Sequence, residues 1–274
     1  TATPIPRTLA LTVFGDLDVS VLDEMPPGRR PVQTRWVPEV RMPEAFGFIR
    51  NELAAGRQAF IVYPLVEESE ELDLKSATEM AEKLQRDVFP EFKLGLLHGQ
   101  MKSTLKDDIM TAFRDRKHHV LVSTVVIEVG IDVPNASVMV IEHAERYGLA
   151  QLHQLRGRIG RGSHTSYCLL FGDPKSPEAE QRLRVMTQTT DGFRIAEEDL
   201  RLRGPGEFFG TRQHGLPELK IANIIDDHAM LRVARQDAFD LVKADPTLNR
   251  PLSQTIRRRV METFAGRLEL INVG

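Results

Sequence analysis

Between about residues 32 and 172, short apolar runs alternate with stretches whose apolar positions recur at helical spacing. The runs predict strands at Val32–Val37, Ala59–Leu65, Lys93–Leu97, Val120–Ser123, Val138–Glu142 and Ser166–Phe171. Between them, Phe46, Ile49 and Leu53 mark one helix, which Gly56 stops, and Leu105, Ile109 and Phe113 mark another. Ser76 with Glu79 predicts a capping box opening a helix through Met80, Leu84 and Val88. A further helical stretch runs from Gly148 to Leu155. Near-continuous apolar strands separated by helices predict an α/β fold, a parallel sheet covered on both faces. Ligands of such sheets collect at the carboxyl ends of the strands. Three unusual segments are expected there: His98-Gly99, Thr124 to Asp132, and the arginine-bearing loop that follows Leu155.

After Asp173-Pro174 the pattern becomes helical, over 177–190, 193–202, 226–243 and 253–265. A glycine-rich loop, Arg203 to Gln213, interrupts these helices. Residues 16–31, ending Pro26-Pro27-Gly28-Arg29-Arg30-Pro31, read as a linker. The acidic run Glu67 to Asp73 reads as a solvated loop, and Arg257-Arg258-Arg259 as a solvated helix face.

Composition narrows the function classes. At 274 residues the chain has room for one large domain with an appendage, or two small ones. A hydrophobic content of 41% and a charged content of 27% are ordinary for a soluble globular protein. The net charge of −3 excludes a uniformly basic nucleic-acid coat but leaves room for a local basic face. Cys168 lies in the apolar run Tyr167 to Phe171 and is expected as a buried thiol; one cysteine permits no internal disulfide, which fits a reducing cytosol. No apolar run approaches the roughly 20 residues that span a bilayer, so no membrane partner is expected. The first residue is Thr1, not methionine, and the opening residues read as mid-protein, so a fragment of a longer protein is expected.

The richest segment is Gln154-Leu155-Arg156-Gly157-Arg158-Ile159-Gly160-Arg161. Arg158 and Arg161 stand three apart with glycines on either side. Glycine allows close backbone approach, and arginine presents a planar, permanently charged fork suited to phosphate oxygens. The pattern reads as charge aimed at a phosphate. The residues that would hold a nucleotide are missing. No Gly-Lys pair exists anywhere, so there is no P-loop, and Asp23-Glu24-Met25-Pro26 fails as a magnesium-binding D-E-x-H element. No cluster has metal-ligand spacing, and no serine-triad signature occurs. The chain carries half an active site.

Further segments carry a resemblance. Thr1-Ala2-Thr3 is similar to motif III of superfamily 2 helicases, and Leu97-His98-Gly99-Gln100-Met101 to the histidine–glycine element of the second helicase lobe. Ser123 to Pro134 resembles motif V, and Gln154 to Arg161 matches motif VI. The strings Thr3 to Leu9 and Gly148 to Arg158 narrow the resemblance to two families, the RecG branched-DNA helicases and the bacterial transcription-repair coupling factors. Asp23 to Arg29 and Gly210-Thr211-Arg212-Gln213 resemble RecG. The resemblance runs from residue 1 to about 230.

This resemblance implies a RecA-like parallel sheet followed by a mostly helical module. It implies four segments: 1–31, the tail of a first lobe with a linker; 32–174, the second RecA-like lobe; 175–225, a translocation hairpin and loop; and 226–274, a C-terminal helical region. Arg158 and Arg161 would be arginine fingers and Gln154 would orient the same phosphate. Gly130 and Asp132 would meet the ribose side of the nucleotide. His98, Gly99 and Thr124 would contact the DNA backbone. Thr1, Thr3, Arg203 and Gln213 would couple hydrolysis to translocation. ATP with Mg2+ would be held mainly by the first lobe, which is not in this chain, and no metal would be bound by the chain itself. Expected partners are branched double-stranded DNA (forks and Holliday junctions) and the first lobe and wedge domain of the same protein. The expected location is the bacterial cytoplasm, at the nucleoid. The implied function is an ATP-dependent translocase that remodels stalled forks and branch-migrates junctions in recombination and repair. The coupling factor's motor half, or a non-catalytic interaction module, remains an alternative.

Overall fold

The computed structural model describes residues 29–64, 70–124, 133–203 and 227–264. They fall into two compact units, one holding residues 29–202 and the other 203–264. The first unit is built on six parallel strands: β1 (Gln33–Val37), β2 (Gln58–Val62), β3 (Leu94–Leu97), β4 (Val120–Ser123), β5 (Ala136–Ile141) and β6 (Tyr167–Phe171). Their order is β1-β6-β5-β2-β4-β3. Helices α1 (Met42–Ala54), α2 (Glu70–Lys83), α3 (Ser103–Arg114), α4 (Leu149–Arg156), α5 (Pro177–Gln188) and α6 (Gly192–Arg203) connect and cover the sheet.

The inner strands β2, β4, β5 and β6 are apolar at nearly every position because both faces are buried, whereas the edge strand β1 carries Gln33, Thr34 and Arg35. Phe60, Leu121, Met139, Ile141, Cys168 and Leu170 point to one face, where α3 (Phe113), α4 (Leu149, Leu152, Leu155), α5 (Leu183, Met186) and α6 (Ile195) cover them. The alternate residues Ala59, Ile61, Val120, Val122, Val138, Val140, Leu169 and Phe171 meet α1 (Ile49, Leu53), Ala81 of α2 and Leu84 on the other face. This period-2 partition into two cores is what a doubly covered parallel sheet requires. The helical pair α5–α6 therefore packs on the sheet inside the first unit. Gln58, buried in β2, donates from Nε2 to the carbonyls of Phe113 (2.6 Å) and His118 (2.8 Å), so its amide is satisfied. Cys168 is fully buried, and burial pushes its thiol pKa up to about 12, as befits an inert core residue.

Two local expectations are corrected. Helix α2 is already under way at Glu70 and runs on as a π-helical turn over Leu84–Val88, so Ser76 falls inside the helix and not at its start. The acidic run expected as a loop is helical from Glu70 onward, while 65–69 lie outside the described residues.

The second unit contains α7 (His228–Ala244) and α8 (Gln254–Phe264). Between them, Asp245 accepts the backbone N–H groups of Asn249 (3.1 Å) and Arg250 (2.9 Å). The backbone bond from Arg250 is the largest influence holding its carboxyl below the usual range.

Candidate functional site

Helix α4 places the arginine loop. Gln151 Oε1 accepts the Gly148 N–H at 3.1 Å at its start. Leu149, Leu152 and Leu155 are fully buried and fix its rotation on the sheet. Beyond Gly157, fully buried Ile159 nails the loop down between Arg158, half-buried, and Arg161, exposed. Gly160 sits at φ +79°, the left-handed region that side chains rarely adopt, and a Cβ there would lie 2.9 Å from Val32 Cγ2. At Gly162 a Cβ would lie 2.2 Å from the Pro134 carbonyl oxygen, so the loop passes directly over the chain leading into β5.

These contacts correct one expectation. The arginine loop is not at the carboxyl ends of the strands. Its neighbours Val32 and Pro134 stand just before β1 and β5, and the loop itself leads into β6, so it lies at the amino edge of the sheet. The reason is topological: α4 covers the sheet between two parallel strands and must run back against them, which returns its carboxyl end to the amino edge.

Here the structure forms a cavity of about 330 Å³, lined by Gln154, Arg158 and Arg161, together with Arg29, Arg30, Arg156 and His153. Five of its described lining residues are arginines and none is acidic. Such a lining fits an anion with several oxygens, above all a phosphate chain. Gln154, Arg158 and Arg161, singled out by sequence, are thus brought together. Burial pushes the His153 imidazole down to about 4, with Arg156 and Arg29 acting in the same direction, so it is neutral at pH 7.

Sequence reasoning passed over two parts of this site. Arg156 is only 4% exposed; its Nη1 donates to the carbonyls of Met186 (3.2 Å) and Thr189 (2.8 Å), and its Nη2 to that of Thr190 (3.4 Å). The buried guanidinium therefore sits on the negative carboxyl end of α5, which offsets part of its desolvation. A signal was present: Arg156 is four residues after Leu152 and seven after Leu149, on the apolar stripe of α4. Arg29 and Arg30, read as linker, also line the cavity, and Arg29 Nη2 donates to the Gly157 carbonyl at 3.0 Å.

The other expected residues lie elsewhere. His98, Gly99 and Thr124 gather at the carboxyl ends of adjacent β3 and β4. Thr124 is buried and donates its N–H to Leu97 O at 3.3 Å. Gly99 is exposed and its carbonyl accepts Lys106 Nζ at 2.7 Å. Burial, then Lys106, lowers the His98 pKa. Arg203 is the last residue of α6. Gly130, Asp132, Thr1, Thr3 and Gln213 lie outside the described residues.

At the same carboxyl edge, Glu142 follows β5 and is hydrogen-bonded to the Tyr63 side chain beyond β2. Burial pushes the Glu142 carboxyl up to about 7, nearby Glu145 adds to the rise, and the Tyr63 hydrogen bond opposes it.

The profile of the helicase conserved C-terminal domain matches residues 44–163, and that of "ATP-dependent DNA helicase RecG, domain 3, C-terminal" matches residues 189–269. This chain resembles the C-terminal part of RecG. It is 57% identical to the ATP-dependent DNA helicase RecG of Synechocystis over 248 residues, covering 90% of the chain and 30% of that protein. With RecG of Thermotoga maritima it shares 58% identity over 240 residues, 88% of the chain and 31% of the relative. The chain thus spans about three tenths of the length of these relatives. A solved structure of RecG bound to a three-way DNA junction matches with a TM-score of 0.65 and 54% identity, over 84% of this chain and 29% of that one. The RecA-like parallel sheet with flanking helices expected from the motifs is the observed fold. No described helix is long and apolar enough to cross a membrane.

Proposed function

We propose that this chain is the C-terminal motor half of an ATP-dependent double-stranded-DNA translocase that remodels stalled forks and branch-migrates junctions. The observation that carries this is the meeting of Gln154, Arg158 and Arg161 in one cavity whose described lining is cationic. ATP, bound with Mg2+ mainly on a first lobe beyond this chain, supplies the γ-phosphoryl group that hydrolysis transfers to water. Arg158 and Arg161 reach that phosphate from the loop that Ile159 anchors, and stabilise the negative charge that develops on it. Fixed donors aimed at developing charge cost no reorganisation during reaction, and an arginine finger contributes roughly 10³ to 10⁵ in rate. Gln154 orients the same phosphate, while Gly130 and Asp132 meet the ribose.

At the opposite edge of the sheet, His98, Gly99 and Thr124 hold the DNA backbone, which positions a motor without reading sequence. Thr1, Thr3, Arg203 and Gln213 couple the two sites. Segments 1–31, 32–174, 175–225 and 226–274 act as lobe tail and linker, motor lobe, translocation hairpin and C-terminal region. Branched DNA, the first lobe and a wedge domain are the partners, in the cytoplasm at the nucleoid. The kinship with proteins named RecG favours fork remodelling over the transcription-coupled alternative.

The test is Arg161→Ala in the full-length protein. Hydrolysis is expected to fall by roughly 10³ or more while binding to a three-way junction persists. Retained DNA-stimulated hydrolysis removes Arg161 from this role.

A further inference from the structure

Resting on the nucleotide-site reading above, we propose that the arginines leading into β1 belong to the same phosphate site: Arg29 positions the arginine loop, and Arg30 is a further guanidinium for the terminal phosphates of the nucleotide. The sequence places both in a linker. In the fold they stand against motif VI.

Three observations converge. Arg29 Nη2 donates to the carbonyl of Gly157, the residue immediately before Arg158, at 3.0 Å. The contact spans 128 positions in sequence, so it fixes the loop from outside its own helix. The backbone of the same lead-in passes close to the far side of the loop, where a Cβ on Gly160 would lie 2.9 Å from Val32 Cγ2 and 3.5 Å from the Arg30 carbonyl. The loop is thus held at Gly157 by a charged donor and at Gly160 by contact, with Arg158 and Ile159 between them. Finally, Arg29 and Arg30 line the cavity that holds Arg158 and Arg161. Arg29 is half-buried and committed to a carbonyl, whereas Arg30 is exposed, so its side chain is the one placed to receive a ligand.

The roles differ, and so do their signatures. Arg30 is a binding residue for anionic oxygens, and a nucleotide with a terminal phosphate is its partner rather than the DNA backbone, because the DNA-contacting candidates Gly99 and Thr124 lie at the other edge of the sheet. Arg29 acts through the loop and touches no substrate. Its loss shifts the fingers without removing a phosphate ligand, and small misplacements of a catalytic group cost rate more than binding.

The experiment uses the full-length protein with three probes: a non-hydrolysable ATP analogue, ADP, and a three-way DNA junction. For Arg30→Gln, affinity for the analogue is expected to fall about tenfold, the scale of one charge-assisted hydrogen bond, with ADP and junction affinities unchanged and partial recovery in Arg30→Lys. For Arg29→Gln, kcat is expected to fall about tenfold with KM for ATP nearly unchanged. Arg29→Lys, which keeps a donor for the Gly157 carbonyl, recovers most of it.

An unchanged ratio of analogue to ADP affinity in Arg30→Gln overturns the Arg30 assignment. A loss confined to junction binding overturns it too, by giving the guanidinium to DNA phosphates. Unchanged kcat in Arg29→Gln, or equal failure of Arg29→Lys, overturns the positioning role. Arg161→Ala separates the levels. If that variant still hydrolyses ATP, the nucleotide-site reading itself fails. If it is inactive while Arg30→Gln and Arg29→Gln behave as the parent, only the present proposal falls.

Discussion

Arg156 Nη1 donates to the Thr189 carbonyl at 2.8 Å, and through this bond the helix carrying the arginine loop is fastened to the turn between α5 and α6. Three carbonyls at that turn share one buried guanidinium. Neighbouring arginines in one short segment thus have different duties: all three line the cavity, but Arg156 commits its guanidinium to carbonyls inside the protein. Removing it leaves buried acceptors unsatisfied, at about 1–3 kcal/mol for each group left without water. Arg156→Met is expected to destabilise the chain by about 3 kcal/mol, read as a lowered urea midpoint with an unchanged slope. Arg156→Lys recovers little, because an ammonium cannot span three carbonyls in one plane. A midpoint unchanged in Arg156→Met contradicts the structural role.

Gly160 tests the loop differently. Its φ of +79° costs an alanine about 1–2 kcal/mol, and the new Cβ would press on Val32 at 2.9 Å. Gly160→Ala is expected to lower thermal stability modestly and to reduce ATP hydrolysis in the full-length protein far more, since the strain falls between the two arginines. Equal loss of both, or of neither, speaks against a finely placed loop.

Glu142 sets a pH dependence at the other edge. Its folded pKa of about 7 stands above its ordinary 4.5, so the folded state retains a proton that the unfolded chain releases. Stability from this residue is full below about pH 4.5 and is lost as pH rises through about 7. Glu142→Gln keeps an acceptor for Tyr63 without the charge; its melting temperature is expected to exceed the parent's at pH 8 and to match it near pH 4.5. His153 works in the opposite sense. Lowered from 6.5 to about 4, it costs stability as pH falls through that window. A Glu142→Gln melting curve that parallels the parent's across this range shows the carboxyl to be solvated.

The isolated 274-residue chain is expected to hydrolyse ATP negligibly, because it has no Gly-Lys pair with which to build a P-loop. Malachite-green phosphate release with Mg2+ and junction DNA measures this directly. Turnover within tenfold of that of the full-length protein contradicts it.

Much of the fold was legible in one dimension because local periodicity and burial coincide. Val120–Ser123 is a strand both in the pattern and in space, and Phe46, Ile49 and Leu53 lie on the helix they mark. Ser76 misled because a capping signature is only four residues long and recurs by chance inside helices, as it does within Glu70–Lys83. The pairing of Arg158 with Arg161 was legible from three-residue spacing. The edge of the sheet they occupy was not, since it follows from α4 running back against the strands. Nor were Arg29 against Gly157 or Arg156 against Thr189, contacts 128 and 33 positions apart that leave no periodic trace. Residue types and spacing by themselves singled out the segment that carries the candidate phosphate chemistry, because charge and backbone freedom are properties of short segments. Which arginines face the cavity and which brace it was decided only by tertiary packing, where a buried guanidinium must find its acceptors wherever the fold brings them.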